Sequence, residues 1–201
     1  MNRLKVMKAG SAGQAYPGMK GLRVVIGLLA CSLLSACLGI PERAEAVDDF
    51  SLPSYLGSWY EIARLDHGFE RGLSHVTAQY SMREDGGVSV LNKGFNKTSG
   101  QWKEADGKAY FIGDENVGRL KVSFFGPFYG AYNIIALAPD YQYAMIVGPD
   151  TGYFWILSRT PELDSKILQG LLDQARSLGV AVDELIYPEQ DDRPKEDGHA
   201  A

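Results

Sequence analysis

The 201-residue sequence is poor in cysteine and histidine, and both shortages exclude classes of protein. Its two cysteines, Cys31 and Cys37, lie in the first fifth of the chain, so the remainder has no thiol for a disulfide and depends on its hydrophobic core. None of the three histidines stands in a metal-site spacing, and no nucleophile elbow, phosphate loop or dinucleotide fingerprint occurs. We therefore predict no metal, no cofactor and no catalytic residue.

Long apolar runs are also lacking, and the longest one lies near the N-terminus. Residues 20–36 combine a basic start, an apolar stretch and small residues, which is the layout of a secretory signal peptide. The run is too short to span a bilayer comfortably. We predict that residues 1–36 are a signal peptide, with Met19 as an alternative start. A stop-transfer anchor or a buried helix is the competing interpretation.

The leader ends in LSAC, residues 34–37, and this stretch resembles the bacterial lipobox, where the signal is cut before a cysteine that receives lipid. Cys37 would then be the lipidated first residue of a 165-residue chain and its attachment to a membrane. The resemblance also implies that Leu38 directs sorting to the outer membrane. The expected localisation is the periplasm-facing side of the outer membrane in a Gram-negative envelope.

Positive charge becomes scarce once the leader is removed. Five of the 20 basic residues precede Cys37, which leaves 15 basic against 25 acidic side chains and a formal charge of −10. Such a surface does not fit a nucleic-acid binder, so we predict no nucleic-acid partner. A homodimer is left open.

Short β-type runs dominate what remains, between a polar tether at 37–50 and a charged, disordered tail at 189–201. In the domain between them, at 51–188, eight runs rich in β-branched and aromatic residues are separated by turn residues. They predict strands at 57–66, 74–83, 87–96, 101–113, 118–125, 129–138, 141–148 and 152–159. An antiparallel meander removes its edges by closing, so we predict an all-β, eight-stranded up-and-down barrel.

One segment has a helical period instead. Apolar residues recur every three or four positions over about 161–178, with Thr160 suited to an N-cap, Pro161 to the first helical position and Gly179 to a C-cap. We predict a C-terminal α-helix here, packed on the outside of the barrel, and a short strand after it.

Three motifs in order resemble those of the lipocalin family, and more closely of its bacterial lipoprotein branch. GSWYEIAR at 57–64 resembles the Gly-x-Trp motif, PDYQYAMI at 139–146 the Asp-Tyr turn motif, and WILSRTP at 155–161 the closing Arg motif. The resemblance covers nearly all of 50–188. It implies a calyx-shaped barrel that carries a hydrophobic molecule.

The resemblance also implies how the barrel closes. Trp59 would plug the closed end with Arg159 lying across its indole, and Gly57 would make the tight entry bend. Alternation along the strand puts Glu61 on the same face as Trp59 and Arg64 on the other face. Three partners stay open for Glu61: Arg159, backbone groups, or water in the cavity.

The resemblance implies a fatty acid or lysophospholipid as ligand, in a role of storage or transport for envelope maintenance. The predicted lumen is apolar, which suits an acyl chain or another elongated apolar molecule. Asn92 is its one polar point. A filled barrel core without ligand is the competing interpretation. The family register predicts ten ligand-binding side chains: Ala78, Val90, Asn92, Val122, Phe124, Ile134, Ala136, Ile146, Tyr153 and Trp155.

Two features keep other functions open. The group Asp66, His67, Glu70 and Arg71 could act as an acid–base cluster in a lipocalin-fold enzyme for a lipid or pigment, although a short turn closing the barrel mouth is favoured. The aromatic loop at 123–132 either laps against a bilayer or packs as a hairpin, and the hairpin is favoured. A structural envelope lipoprotein without ligand is the remaining alternative.

Overall fold

Eight antiparallel strands form where the sequence has its eight β-type runs. The structure, a computed structural model, describes residues 38–191. The predicted signal peptide, Cys37 and residues 192–201 lie outside the described residues. The strands are β1 (Gly57–Arg64), β2 (Leu73–Met82), β3 (Val88–Asn96), β4 (Gln101–Phe111), β5 (Arg119–Ser123), β6 (Gly130–Leu137), β7 (Tyr143–Val147) and β8 (Phe154–Ser158). Each pairs with its neighbours and β8 pairs with β1, so the predicted closed barrel is confirmed.

The direction of β1 defines the two ends of the barrel. We call the end where β1 begins, at Gly57 and Trp59, the lower end. Because the strands alternate in direction, the loops after β1, β3, β5 and β7 all lie at the opposite, upper end. These four upper loops span residues 65–72, 97–100, 124–129 and 148–153.

Two short helical elements flank the barrel besides one longer helix. A single helical turn, α1 (Leu52–Tyr55), precedes β1, and a 3₁₀ turn at Val182–Glu184 follows the long helix α2 (Ser165–Ser177). The helix α2 begins later than predicted, because the side chain of Asp164 caps it by accepting from Lys166 N at 2.8 Å. Thr160, the predicted cap, instead donates its hydroxyl to Glu162 O. Within residues 38–191, no helix is long and apolar enough to cross a membrane.

Two hydrophobic clusters lie on the two sides of the barrel wall. The outer cluster joins the wall to α2, and the inner cluster fills the lower part of the barrel. Buried members of the outer cluster include Ile62, Ala63, Ile135, Met145, Val147, Phe154, Ile156, Leu171 and Ala175. Buried members of the inner cluster include Tyr55, Trp59, Ala78, Tyr80, Val90, Ala109, Ile134, Ile146 and Leu157.

The segment before α1 lies along the barrel rather than free of it. Gly39 O accepts a hydrogen bond from Asn133 Nδ2 at 3.0 Å, and the side chains of Ala44 and Phe50 are buried. Val47 donates its N–H to Ile134 O in β6. Residues 39–50, for which the sequence predicts a tether, are therefore held on the barrel surface.

The C-terminal segment fills a gap in the wall at the upper end. Pairing between β1 and β2 stops at Tyr60 and Thr77. Beyond that point Gln190 Nε2 bridges the two strands, donating to Glu61 O at 2.8 Å and to Val76 O at 2.9 Å. The sequence predicts disorder from residue 189, but residues 189–191 belong to the wall because they satisfy its unpaired backbone groups.

Candidate functional site

Trp59 and Arg159 meet at the lower end. The guanidinium carbon of Arg159 lies 3.8 Å from the centroid of the Trp59 ring, and Trp59 is fully buried. The backbone of Gly57 has φ +96°, and a Cβ there would lie 3.4 Å from Arg159 Nη1. A guanidinium over an indole is a favourable arrangement, and glycine allows both the bend and the close approach.

The other contacts of Arg159 are all with backbone oxygens. Its nitrogens donate to five carbonyls at 2.8–3.2 Å, namely those of Ser54, Tyr55, Leu56, Ser58 and Tyr141. The guanidinium therefore ties α1, β1 and the turn between β6 and β7 into one floor. A planar group with five donors is suited to this task, whereas a lysine is not.

Eight of the ten side chains predicted to line the lumen lie on the inner side. Ala78, Val90, Ile134 and Ile146 are buried in the inner cluster, and Val122, Phe124 and Trp155 pack against it while staying half-buried. Asn92 pairs with Ala78 across β2 and β3 and shares its face. The lining is apolar apart from Asn92, whose Oδ1 is buried without a hydrogen-bond partner in the described part of the chain.

The other two predicted lining residues, Ala136 and Tyr153, are placed elsewhere. A bulge between Ile134 and Ala136 puts Ala136 opposite Met145, on the side of the outer cluster. Tyr153 precedes β8 and lies in the upper loop, where 42% of its side chain is exposed. Strict alternation fails at both positions, since one lies past a bulge and the other lies outside a strand.

The wall beside β4 is built of small residues. Ala105 lies opposite Asn92 in the β3–β4 pairing and is exposed although it shares the inward face. At Gly107, a Cβ would lie 2.8 Å from the ring of Phe124. The exposure of Ala105 therefore indicates accessible space on the inward side of β4, beside Asn92, and Gly107 leaves room for an aromatic ring.

Three tyrosines inside the lower half were not identified from the sequence. The hydroxyl of Tyr132 lies 2.7 Å from that of Tyr55 and 2.9 Å from that of Tyr80. Burial raises the pKa of all three phenols, that of Tyr80 to about 12. Alternation from Ala78 and Ile134 indicates Tyr80 and Tyr132, whereas no pattern indicates Tyr55, because it lies in α1 outside the strands.

A buried ionic group lies above this floor. Arg64 Nη1 donates to Glu61 Oε1 at 2.5 Å, and Arg64 Nη2 donates to Glu70 O at 2.9 Å. Glu70 Oε2 lies 3.9 Å from Arg64 Nε and accepts from Trp155 Nε1 at 3.0 Å. Glu61, Arg64 and Glu70 are 3%, 1% and 6% exposed, so the group is almost dry.

Two carboxyl groups share the single charge of Arg64, and this controls their titration. Burial, together with the neighbouring Glu70 carboxylate, raises the pKa of Glu61 to about 8. Burial also raises the pKa of Glu70, against the hydrogen bond from Trp155 and the charge of Arg64. Near neutral pH the group therefore retains a proton, since a second buried negative charge would have no cation to balance it.

The four residues considered as an acid–base cluster do not converge. Asp66 forms an exposed ion pair with Arg71 at 2.6 Å, whereas Glu70 points inward to Trp155. His67 is stacked between aromatic rings, with its centroid 4.8 Å from that of Tyr153, and burial lowers its pKa. Within residues 38–191, no group of three or more His, Cys, Asp and Glu side chains is placed to hold a metal ion.

The aromatic loop at 123–132 is divided rather than packed as a hairpin. Phe124 lies inside against Gly107, and Tyr129 lies 6.4 Å from the ring of Tyr110. Phe125 and Phe128 are 79% and 73% exposed. The favoured hairpin packing is therefore wrong for these two rings, because both are exposed to solvent rather than packed.

Comparison with known proteins places this arrangement in a family. The sequence profile of the Lipocalin-like domain matches residues 50–190. Proteins named "Outer membrane lipoprotein Blc" are similar: that of Vibrio cholerae is 51% identical over 84% of this chain and 99% of its own, and that of Escherichia coli K12 48% identical over 86% and 98%. The fold resembles insecticyanin from the tobacco hornworm Manduca sexta, with TM-score 0.61, 22% identity, and 77% and 88% of the two chains covered. This chain is a member of the lipocalin family.

Proposed function

We propose that this lipocalin is a lipid-anchored protein of the outer membrane, facing the periplasm, that carries an elongated hydrophobic molecule in its barrel. Two observations support the localisation. The relatives named as outer membrane lipoproteins are matched over almost their whole length, and the sequence LSAC precedes the domain. Cys37 is the acylated residue in this proposal.

The exposure of Ala105 on the inward face of β4 is the observation that carries the ligand proposal. Ala105 is exposed on the inward face, and Val122, Phe124 and Trp155 line the space without being fully buried. The floor below is sealed by Trp59 and the three tyrosines. A narrow apolar space that is closed at one end fits an acyl chain, so a fatty acid or lysophospholipid is the expected class.

No catalytic step is part of this proposal. Burial of the acyl chain supplies the affinity, at roughly 25 cal/mol for each Å² of apolar surface removed from water. Arg64 is already engaged by Glu61 and two backbone carbonyls, so its charge serves the protein itself. The ligand would therefore be held mainly by its apolar part.

Fluorescence titration with a long-chain acyl probe tests the ligand proposal. Ala105→Trp introduces an indole into the open space, and we expect it to weaken probe binding about tenfold or more. Asp106→Trp is the matched control, because Asp106 is the exposed neighbour on the opposite face of β4. Absence of saturable binding, or equal affinity in the Ala105→Trp variant, would favour a structural lipoprotein with a filled barrel.

Mass spectrometry tests the anchor and the cargo separately. The membrane-extracted protein should begin at Cys37 with acyl groups attached, and Cys37→Ala should prevent the modification. An organic extract of the same sample should contain one lipid class in near-stoichiometric amount. Turnover of that lipid, lost on His67→Ala, would instead indicate an enzyme.

A further inference from the structure

Large hydrophobic side chains are exposed together at the upper end. Phe69, Phe125, Phe128 and Tyr153 are 61%, 79%, 73% and 42% exposed. They lie on three upper loops, 65–72, 124–129 and 148–153, which are consecutive around the barrel. The fourth upper loop, 97–100, has the polar sequence KTSG. At the lower end, within residues 38–191, the comparable exposed side chain at a strand end is Met82, which ends β2.

The N-terminal chain reaches the barrel in the middle of this aromatic arc. Asn133 Nδ2 donates to Gly39 O and also to Gly148 O, and Gly148 is the first residue of the 148–153 loop. Cys37 is two residues before Gly39 in the sequence, and two residues of fully extended chain span about 7 Å. An acyl group on Cys37 would therefore enter a bilayer beside the exposed rings.

The geometry points to a second membrane contact: we propose that the upper end rests on a phospholipid surface through Phe69, Phe125, Phe128 and Tyr153, with the lumen opening toward the lipid. Aromatic rings are favoured at the boundary between headgroups and acyl chains. The orientation goes beyond the proposed function and rests on it only for acylation of Cys37. A ligand could then pass between bilayer and lumen without crossing open water.

Vesicle partition of the unacylated chain tests the surface alone. A chain of residues 37–201 with Cys37→Ser retains the barrel, because all eight strands and both clusters lie within residues 38–191. Zwitterionic phosphatidylcholine vesicles are the suitable probe, since the negatively charged chain is repelled by anionic lipid. Phe125→Ser together with Phe128→Ser should lower partition about tenfold or more, because two exposed rings are lost.

Met82→Ser is the matched control, because it removes an exposed apolar side chain at the opposite end. It should partition as the parent chain does. Equal partition of the double variant and the parent, or equal loss in the control, overturns the proposal. The alternative is that this surface binds a second copy of the chain, and sedimentation velocity tests it. If the parent chain is a dimer, the double variant is a monomer and partition is unchanged, the proposal is wrong.

Site-directed labelling of the acylated protein tests which end of the barrel faces the membrane. The acylated chain has no other thiol, so Phe128→Cys and Glu84→Cys give single sites at the upper and lower ends. A polarity-sensitive fluorophore at position 128 should shift to the blue and be quenched by brominated lipid, while one at position 84 should not. Equal or reversed quenching overturns the orientation. Failure of acylation is read independently, from the mass of the chain, and leaves the partition experiment valid.

Discussion

Glu61 and Arg64 lie on the same side of β1, with Glu61 Oε1 2.5 Å from Arg64 Nη1, although a regular strand would turn them to opposite faces. A bulge between Glu61 and Ala63 shifts the register against β8 and leaves Ile62 and Ala63 together in the outer cluster. The bulge therefore brings a cation to a carboxyl group that would otherwise be buried without one.

This group makes stability depend on pH in a direction opposite to that of an ordinary ion pair. The pKa of Glu61 is about 8 in the folded protein, above the usual value of 4.5. The folded state therefore holds a proton that the unfolded chain releases. The contribution is complete below about pH 4.5 and is lost as pH rises to about 8.

We expect Glu61→Gln to remove this dependence, because Glu70 alone then balances Arg64. Between pH 5 and pH 9, the free energy of unfolding of the wild type should fall relative to the variant by a few kcal/mol, on the order of 1.4 kcal/mol for each pKa unit. Urea unfolding at each pH measures the difference in the free energy of unfolding between wild type and variant. The lowered pKa of His67 contributes in the opposite direction, but it contributes to both proteins and therefore cancels in the difference. Asp66→Asn is the control, because the pKa of that exposed carboxyl lies below this range. A wild type whose free energy of unfolding stays level with that of the variant, or rises relative to it, between pH 5 and pH 9 would contradict the prediction.

The sequence predicts the barrel well because turns and alternation are local properties. All eight strands lie within two residues of their predicted bounds, and the closing helix differs mainly at its start, where Asp164 replaces Thr160 as the cap. Eight of ten lining residues share the inward face because β-strand parity is preserved between bulges.

The remainder depends on features that no local pattern contains. The bulges in β1 and β6 change the facing of Arg64 and Ala136, and nothing in either stretch marks a bulge in advance. The sequence alone therefore leaves the partner of Glu61 open. The contacts of Gln190 with Glu61 and Val76 join residues more than 100 positions apart, and such contacts follow from the closed topology rather than from composition.

Arg159→Lys should destabilise the protein even though it keeps the charge. A lysine ammonium has three donors and lacks the planar fork, so several of the five carbonyls now bound by Arg159 would lose their partner. We expect a loss of about 2–4 kcal/mol in the free energy of unfolding, measured by urea denaturation. Arg83→Lys, whose exposed side chain pairs with Asp85, should cost about 0.5 kcal/mol or less. Equal losses in both variants would show that the hydrogen bonds of Arg159 do not stabilise the lower end of the barrel.

Gln190→Ala should open the wall between β1 and β2 without unfolding the barrel. The carbonyls of Glu61 and Val76 would lose their donor, at a cost of about 1–3 kcal/mol. Amide hydrogen exchange should accelerate at His75 and Arg64, whose N–H groups donate to Glu189 O and Ile186 O in the C-terminal segment. Gln142→Ala is the control, because that side chain bonds the exposed Asp140. If exchange rises equally throughout the strands, the segment acts on global stability and the local opening is excluded.

Asn133→Ala should release the N-terminal segment from the barrel surface. The fully buried Asn133 donates to Gly39 O, Val147 O and Gly148 O at 3.0–3.2 Å, so the substitution leaves three carbonyls short of a partner. Trypsin cleavage measures the release of the N-terminal segment, because Arg43 is exposed within this segment and cleavage there requires local opening. We expect cleavage after Arg43 to accelerate about tenfold, in line with a loss of roughly 1.4 kcal/mol.

Cleavage after Lys103, within β4, provides the internal reference for this experiment. It should accelerate less than cleavage after Arg43, since the barrel strands keep their own pairing. Asn116→Ala, which removes a bond to Asp114 on the surface, should change neither rate. If both sites are cut faster by the same factor, Asn133 stabilises the whole barrel. The segment that leads to Cys37 would then not be held by this side chain, and the proposed anchor would not be fixed beside the upper loops.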